Sequence, residues 1–267
     1  MKTDPGIKGA GVVQHTYITW ALLLILLIVA QSVGQPRPQW LYTPPQNPDL
    51  LFGVGVSPLF RTDSLTYRNA RQNAIEEIVE QYRVQVISRR AERRCGGRSF
   101  SYEYTLELID SVYYRQCYRN ARALDSIRTE DYVYILMAVH GDLSLPDKDI
   151  VASGISSENR SDEIPGWVRQ LPNRPGYLYG LGISPRYRNE DDSWDNSAKQ
   201  ARREIALTLR ARRAYLQNDD VYNWGSFYQK WSEARTDFIL EQSKIIARWY
   251  DAKRQLFYTL MEYPLSQ

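Results

Sequence analysis

The stretch Leu51-Phe-Gly-Val-Gly-Val-Ser-Pro58 occurs again 127 residues later as Leu178-Tyr-Gly-Leu-Gly-Ile-Ser-Pro185. Identities at the same spacing continue on both sides of this stretch, beginning with Trp40, which matches Trp167. So many matches at one spacing indicate an internal duplication, and a repeat has to be recognised before a fold is assigned. We therefore predict two tandem repeats.

The overall composition is that of a globular protein. The chain has 267 residues, of which 43% are hydrophobic and 24% charged, so it has room for two domains that each bury a small core. The net charge of +3 is too weak to indicate nucleic-acid binding. The aromatic residues comprise 20 Tyr, 7 Trp and 6 Phe. Tyr and Trp have a polar group on an apolar ring, so we expect many of them at sheet edges, domain seams and interfaces.

The repeated stretch predicts a short buried strand in each half. Gly53 and Gly55 alternate and therefore point to one face of the first strand. Glycine in a strand marks close approach of another backbone, here the following helix, where Ala70 and Ala74 lie on the apolar stripe. Eight residues of the two copies receive a structural role: Trp40, Gly53, Gly55, Ser57, Trp167, Gly180, Gly182 and Ser184.

The remaining elements are predicted from periodicity and turn residues. The first repeat is expected to contain a helix capped by Asp63 or Ser64, a strand over residues 84–88, a turn at Gly96-Gly97, a helix over residues 101–116 and a hairpin over residues 121–139. The second is expected to contain a helix capped within residues 191–193, a strand over residues 211–216, a helix over residues 224–242 and a hairpin over residues 244–263. Each repeat is thus β-α-β-α-β-β, and the fold class is α+β, with helices on one face of a mixed sheet.

The repeats place the domain boundaries at residues 36–140 and 165–264, joined by a polar linker over residues 141–164. Residues 35–50 are rich in Pro and Gln, so we expect an extended, non-helical lead-in there. Trp40 is expected to hold that lead-in against the first domain.

Residues 1–34 have the pattern of an export signal. The apolar run over residues 18–30 fits a signal peptide better than a membrane span, which needs about 20 residues. Cleavage before Gln35 would leave the chain outside the cytosol. An uncleaved inner-membrane anchor over residues 18–33 is the alternative. No Cys follows the run, so no lipid anchor is predicted.

The two cysteines, Cys95 and Cys117, both lie in the first repeat. An even pair in an exported chain favours a disulfide, and two unpaired thiols are the alternative. Zinc binding is not expected from two Cys and almost no His.

The residues do not form a recognisable catalytic arrangement. The Gly-x-Gly-x-Ser-Pro stretch lacks the third glycine and the acidic partner of a dinucleotide site. His140 ends a predicted strand without a nucleophile or carboxylate placed near it. Glu77 and Glu204 are the acidic pair that recurs, and we expect surface or capping roles for them. The sequence predicts a protein that is not an enzyme and has no cofactor.

A run of cations in the second repeat is a candidate for contact with an anionic polymer or lipid surface. It comprises Lys199, Arg202, Arg203 and Arg210, and continues to Arg212 and Arg213. The alternative is a solvated helix face whose cations pair with acidic neighbours.

Taken together, these motifs resemble the LPP20 family of bacterial envelope lipoproteins, which is related to the N-terminal domain of the flagellar H-ring protein. The resemblance rests on the lead-ins Pro38-Gln-Trp40 and Pro165-Gly-Trp167, the glycine strands, the Ala-spaced helices and the final strand Tyr132-Val-Tyr-Ile-Leu-Met137. It covers residues 38–140 and 165–263. The chain differs from the family in lacking a lipobox Cys and in carrying two modules.

The resemblance implies an exported envelope protein, in the periplasm or associated with the outer membrane, without catalytic residues. We therefore expect a structural or protein-interaction scaffold whose partners are other envelope proteins. The alternative is peptidoglycan or glycan binding, or contact with a membrane surface, through Tyr/Trp platforms and the basic run.

Overall fold

The computed structural model describes residues 37–95, 98–143, 163–217 and 236–265, with side chains described outside residues 88–105 and 214–236. The predicted export signal, the Gly96-Gly97 turn and nearly all of the predicted linker lie outside these ranges. The described residues belong to one compact unit, Arg37–Gln267.

The described ranges contain nine strands and five helices. The strands are β1 (Leu50–Pro58), β2 (Arg83–Cys95), β3 (Arg98–Ile109), β4 (Arg122–Arg128), β5 (Tyr132–His140), β6 (Tyr177–Pro185), β7 (Thr236–Glu241), β8 (Lys244–Asp251) and β9 (Leu256–Pro264). The helices are α1 (Gln39–Tyr42), α2 (Asp63–Tyr82), α3 (Ser111–Asn120), α4 (Gly166–Arg169) and α5 (Glu190–Gln217).

The strands form three sheets of three strands each, in the orders β1-β5-β4, β3-β2-β7 and β6-β9-β8. The predicted α+β class is confirmed. The predicted mixed sheet is wrong, because every strand pair in the described ranges is antiparallel. Tight hairpins supply antiparallel neighbours directly, whereas parallel strands need a crossover connection.

The closing hairpins are confirmed in both halves. β4 pairs with β5 and β8 pairs with β9, and each pairing contains one irregularity, between Ala123 and Asp125 and between Ile245 and Ala247. In the first half β1 lies beside β5, so that Gly53 is opposite Met137. In the second half β6 lies beside β9 in the same way.

The glycines allow the backbones of strand and helix to approach each other very closely. A Cβ atom added at Gly53 or Gly55 would collide with a backbone carbonyl oxygen of α2, that of Ala74 or Ala70. Gly180 and Gly182 have the same relation to α5. Only glycine leaves enough room for a helix backbone at this distance from a strand.

Side chains of α2 also cover the open edge of β1. Asn73 donates to the carbonyl of Val56 at 2.8 Å, and Gln81 donates to that of Phe52 at 2.8 Å. Between them, Glu77 accepts from the N–H of Val54 at 2.9 Å. The spacing of four residues along α2 matches alternate residues along β1. One helix face therefore forms hydrogen bonds with the backbone groups at the edge of β1 and prevents another strand from pairing there.

The second strand–helix pair of the first repeat differs from the prediction. Residues 98–109 form β3, not a helix, because the run Ser-Tyr-Glu-Tyr-Thr-Leu-Glu-Leu has the two-residue alternation of a strand. The helix begins later, as α3, where Asp110 accepts from the N–H of Val112 at 2.7 Å and caps it. The predicted helix over residues 101–116 had combined residues of both elements.

The second repeat departs further. Residues 211–216, predicted as a strand, belong to α5, and residues 236–241, predicted within a helix, form β7. β7 pairs with β2, so that Leu240 lies opposite Val84. A strand from the C-terminal half therefore completes the sheet of the N-terminal half.

Two local predictions are corrected at helix starts. Neither Asp63 nor Ser64 caps α2, since Thr62 is the N-cap and makes no side-chain capping bond. The lead-in contains the four-residue helix α1, although we predicted no helix there. α1 forms because its proline, Pro38, precedes the helical residues and does not interrupt them.

The core has a seam that joins the halves. Trp40 and Tyr134 from the first half pack in one cluster with Trp194 and Phe257 from the second. The rings of Trp194 and Phe257 lie 4.7 Å apart, nearly perpendicular.

Candidate functional site

A cleft of about 390 Å³ lies where α2 and α5 approach each other, with β1 and β3 contributing to its walls. Carboxylates dominate its lining: Glu76, Glu77, Glu80, Glu107, Asp191, Asp192 and Asp195. Lys199 is the cationic side chain that lines it. We call this the acidic cleft.

Local structure explains how these acids converge. Glu76, Glu77 and Glu80 are spaced along one side of α2, as residues three or four apart are on a helix. Asp191 and Asp192 lie in the first turn of α5, where the helix dipole favours negative charge. The acids come from both halves, so the cleft exists only when the halves are packed together.

Arg202 lies beneath the acidic cleft and is fully buried. Its Nη2 donates to Glu80 at 2.9 Å and to Glu107 at 2.7 Å, and its Nε donates to the other oxygen of Glu107 at 2.8 Å. The side chain of Glu107 is 2% exposed. This bidentate pairing connects α5, β3 and α2 through one guanidinium group.

Burial and the nearby charge of Glu107 raise the pKa of Glu80 to about 8, although Arg202 acts in the opposite direction. One arginine cannot balance two enclosed carboxylates. Burial and the neighbouring Asp192 likewise raise the pKa of Asp191. Asn73 donates to one oxygen of Asp191 at 3.2 Å. The other oxygen is buried without a hydrogen-bond partner in the described part of the chain.

Glu77 has a different role from the surface or capping role expected for it. One oxygen accepts from the edge of β1, and the other forms an ion pair with Arg248 of β8, whose side chain is 1% exposed. Its counterpart Glu204 is exposed. The two positions are equivalent in the repeat but not in their surroundings.

The basic run does not form an exposed cationic strip. Arg202 is enclosed and paired, so it cannot contact a polyanion. Lys199 pairs with Asp195 at 2.5 Å, which agrees with the alternative of a helix face paired with acids. Arg203 and Arg210 are half-buried on α5, whereas Arg212 and Arg213 are exposed.

The two motif tryptophans have different surroundings. Trp40 is buried and donates to Asp125 at 2.8 Å, which holds α1 against β4. Trp167 is half-buried on α4. Ser57 and Ser184 are both buried, and each donates to the carbonyl of the following proline at 3.1 Å.

An ionic contact from the lead-in was not predicted. Arg37 donates to Glu190 at 2.6 Å and to the hydroxyl of Tyr134 at 3.3 Å. Trp194 donates to the other oxygen of Glu190 at 3.1 Å. Arg37 and Glu190 are 153 positions apart and belong to no motif, so no sequence pattern could have paired them.

The remaining candidate residues are isolated. Cys117 is a buried free thiol whose pKa burial raises to about 11. The predicted bridge to Cys95 is therefore not formed here, and the side chain of Cys95 lies outside those described. His140 lies at the end of β5, as predicted. No group of three His, Cys, Asp or Glu among the described residues has the arrangement of a metal site.

Searches for similar proteins gave no match. No protein-family model, curated protein or solved structure matches this chain. The likeness to the LPP20 family therefore remains a resemblance of motifs. Of the helices that the structure describes, none is long and apolar enough to cross a membrane.

Proposed function

We propose that this chain is a non-enzymatic protein-interaction module of the bacterial cell envelope, built from two tandem LPP20-like repeats. Its acidic cleft binds a cationic segment of another envelope protein. The observation that carries this proposal is the concentration of seven acidic side chains around one cleft, with Lys199 as the lining cation. Residues 1–34 act as the signal that exports the chain to the periplasm.

The charges nearest the cleft still leave it negative. At neutral pH Glu80 is protonated, because its pKa is raised to about 8. Arg202 then offsets the charge of Glu107, Arg248 that of Glu77 and Lys199 that of Asp195. Glu76, Asp191 and Asp192 are left without a salt bridge among the described residues. A recessed surface of one sign attracts partners of the opposite sign and increases their association rate.

Duplicated hydrogen bonds support the tandem origin. The N–H of Phe60 donates to Thr66 at 2.9 Å, and the N–H of Tyr187, 127 residues later, donates to Ser193 at 2.8 Å. Sequence changes at these positions preserve the hydroxyl group. Such matched detail is expected when two halves descend from one unit.

The glycan-binding alternative relied on a basic strip that included Arg202, and Arg202 is not accessible to a ligand. Arg202 is enclosed, so binding to peptidoglycan or another glycan requires a different surface.

A crosslinking pull-down from envelope fractions tests the proposal. We expect the wild-type chain to capture a protein with a Lys/Arg-rich segment, and capture to weaken at least tenfold when Asp191, Asp192 and Glu76 are replaced by Asn, Asn and Gln. Their amides keep the shape and remove the charge. Capture should also weaken with rising salt, as screening reduces electrostatic attraction.

The matched control replaces two exposed acids outside the cleft, Glu130→Gln and Glu204→Gln, and should capture the same protein as wild type. Recovery of only the chain itself would contradict the proposal, and so would equal capture by the cleft variant.

A further inference from the structure

The strand β3 lies at an edge of the sheet β3-β2-β7. It pairs with β2 along all twelve of its residues without a bulge, and no other strand in the described ranges pairs with it. Its sequence contains no Pro and no Lys, the residues that commonly block pairing at a sheet edge. A regular edge of this length presents a row of backbone N–H and C=O groups to which another strand can bind.

Other edges in the described part of the chain are shorter or covered. Side chains of α2 form hydrogen bonds with the edge of β1, as described above. The opposite edge of the same sheet is β7, which has only six residues. Among the described strands, β3 is therefore the longest that lies at the edge of a sheet.

Two leucines of β3 are exposed beside this edge. Leu106 and Leu108 are 47% and 45% exposed, whereas the side chain of Glu107 between them is turned to the core and bound by Arg202. We call the face that carries the two leucines the outer face. Because successive residues of a strand alternate between faces, positions 100, 102 and 104 belong to the outer face, and the sequence has Phe, Tyr and Tyr there.

The sequence of β3 is complementary to a second copy of itself in one antiparallel register. A twofold axis perpendicular to the sheet keeps the two outer faces on the same side, so a residue can be opposite only residues of its own face. With Tyr104 opposite its own copy, Tyr102 is opposite Leu106 and Phe100 is opposite Leu108. Pairs of an aromatic and an aliphatic residue across neighbouring strands are stabilising.

Charge favours this register over the two nearest alternatives. A pairing centred on Glu103 places that carboxylate opposite its own copy, and a pairing centred on Thr105 places Glu103 opposite Glu107. Like charges directly opposite each other on neighbouring strands are destabilising. In the pairing centred on Tyr104, Glu103 is opposite Thr105 and Glu107 is opposite Ser101, so each acid meets a residue with a hydroxyl group.

We propose that β3 pairs with β3 of a second copy of this chain, antiparallel and centred on Tyr104. The two three-stranded sheets then form one sheet of six strands. The pairing binds the free backbone groups of both edges and covers Leu106 and Leu108 of each copy. This association does not require the protein partner proposed for the acidic cleft.

Analytical ultracentrifugation of the full chain over a range of concentrations tests the association. We expect a monomer–dimer equilibrium with a dissociation constant of about 100 µM or tighter. Leu106→Lys should weaken the dimer at least tenfold, because it replaces an apolar cross-strand pair with a charge twice in each dimer. Ile239→Lys is the matched control, since Ile239 is 48% exposed on the same face but belongs to β7. It should dimerise as wild type does.

Single cysteines test the register. In a chain with Cys95 replaced by Ser, Tyr104→Cys should form a disulfide-linked dimer under mild oxidation, because opposite Cα atoms lie about 4.5–5.5 Å apart, within disulfide range. Leu106→Cys should not, because position 106 and its copy are about 14 Å apart in this register. The chain with Cys95→Ser alone is the control for Cys117, which is buried.

Circular dichroism and unfolding temperatures confirm that each variant is folded. A wild-type chain that stays monomeric would overturn the proposal, and so would equal weakening by Leu106→Lys and Ile239→Lys, which indicates packing of whole faces. Crosslinking at position 106 as fast as at position 104 would also overturn it. The Asp191, Asp192 and Glu76 variant should dimerise as wild type does, which separates this result from that of the protein-partner experiment.

Discussion

Arg202 lies between Glu80 and Glu107, and this arrangement leaves more negative than positive charge in an enclosed space. A buried ion pair is stabilising only when each charge is compensated and hydrogen-bonded. The bidentate contact satisfies Glu107, so Glu80 takes up a proton more readily. This imbalance makes the stability of the fold depend on pH.

The raised pKa of Glu80, about 8 against an ordinary value of 4.5, gives this dependence its sign. Between pH 4.5 and about 8, Glu80 keeps its proton in the folded state and releases it in the unfolded state. Stability therefore falls as pH rises from about 5 to 8, by up to about 1.4 kcal/mol per pH unit from this group. We expect Glu80→Gln to reduce that slope in urea unfolding measured at several pH values.

Glu204→Gln is the matched control, since Glu204 is an exposed acid of the same type. Its slope should equal that of wild type. If Glu80→Gln also leaves the dependence of stability on pH unchanged, Glu80 is ionised in the folded state and its raised pKa is contradicted.

The strand–helix contact is the element that both halves share. At Gly55 the carbonyl of Ala70 occupies the space that a side chain would need, and backbone cannot move aside as a flexible side chain can. We expect Gly55→Ala to lower the free energy of unfolding by about 1–3 kcal/mol or more. Denaturant unfolding monitored by circular dichroism measures this loss.

Gly166→Ala provides the comparison at a glycine with free space around it, because nothing lies within 4 Å of a Cβ atom there. It should change stability by less than about 0.5 kcal/mol. Similar losses at Gly55 and Gly166 would show that the close approach is not what requires glycine.

In the whole molecule, the two halves are joined by β7 as well as by the aromatic seam. Leu240 of β7 is fully buried opposite Val84 of β2, and Gln81 of α2 accepts from the N–H of Ile245 on β8 at 3.2 Å. The halves therefore share a sheet, a core and backbone hydrogen bonds. Unfolding of one half exposes apolar surface of the other.

We expect Leu240→Ala to cost about 2–5 kcal/mol, since it leaves a cavity in a closed core. Ile239→Ala is the matched control on the same strand, because Ile239 is 48% exposed on the opposite face, and it should cost less than about 1 kcal/mol. Calorimetry should show one unfolding transition in each case. Two separate transitions, or equal losses, would contradict a shared core.

The glycine strands and the closing hairpins were both readable from the residues. Gly53 and Gly55 alternate, and the hairpin strands carry apolar residues between polar turns. These local patterns were sufficient to predict the strands and the hairpins. The stretch over residues 98–109 was misread because its aromatic and aliphatic residues fit a helical stripe and a strand alternation at once. The partner strand β2 resolves that ambiguity by pairing with it along its whole length.

The sequence by itself determined which acidic, aromatic and cationic side chains are present. Its local patterns determined the glycine strands and the closing hairpins. Only the tertiary structure decided which of them meet. Arg202 was part of a basic run in the sequence, and it is buried because Glu80 and Glu107 approach it from elements 122 and 95 positions away. Pairing of charges depends on distance in space, and packing of the two halves sets that distance.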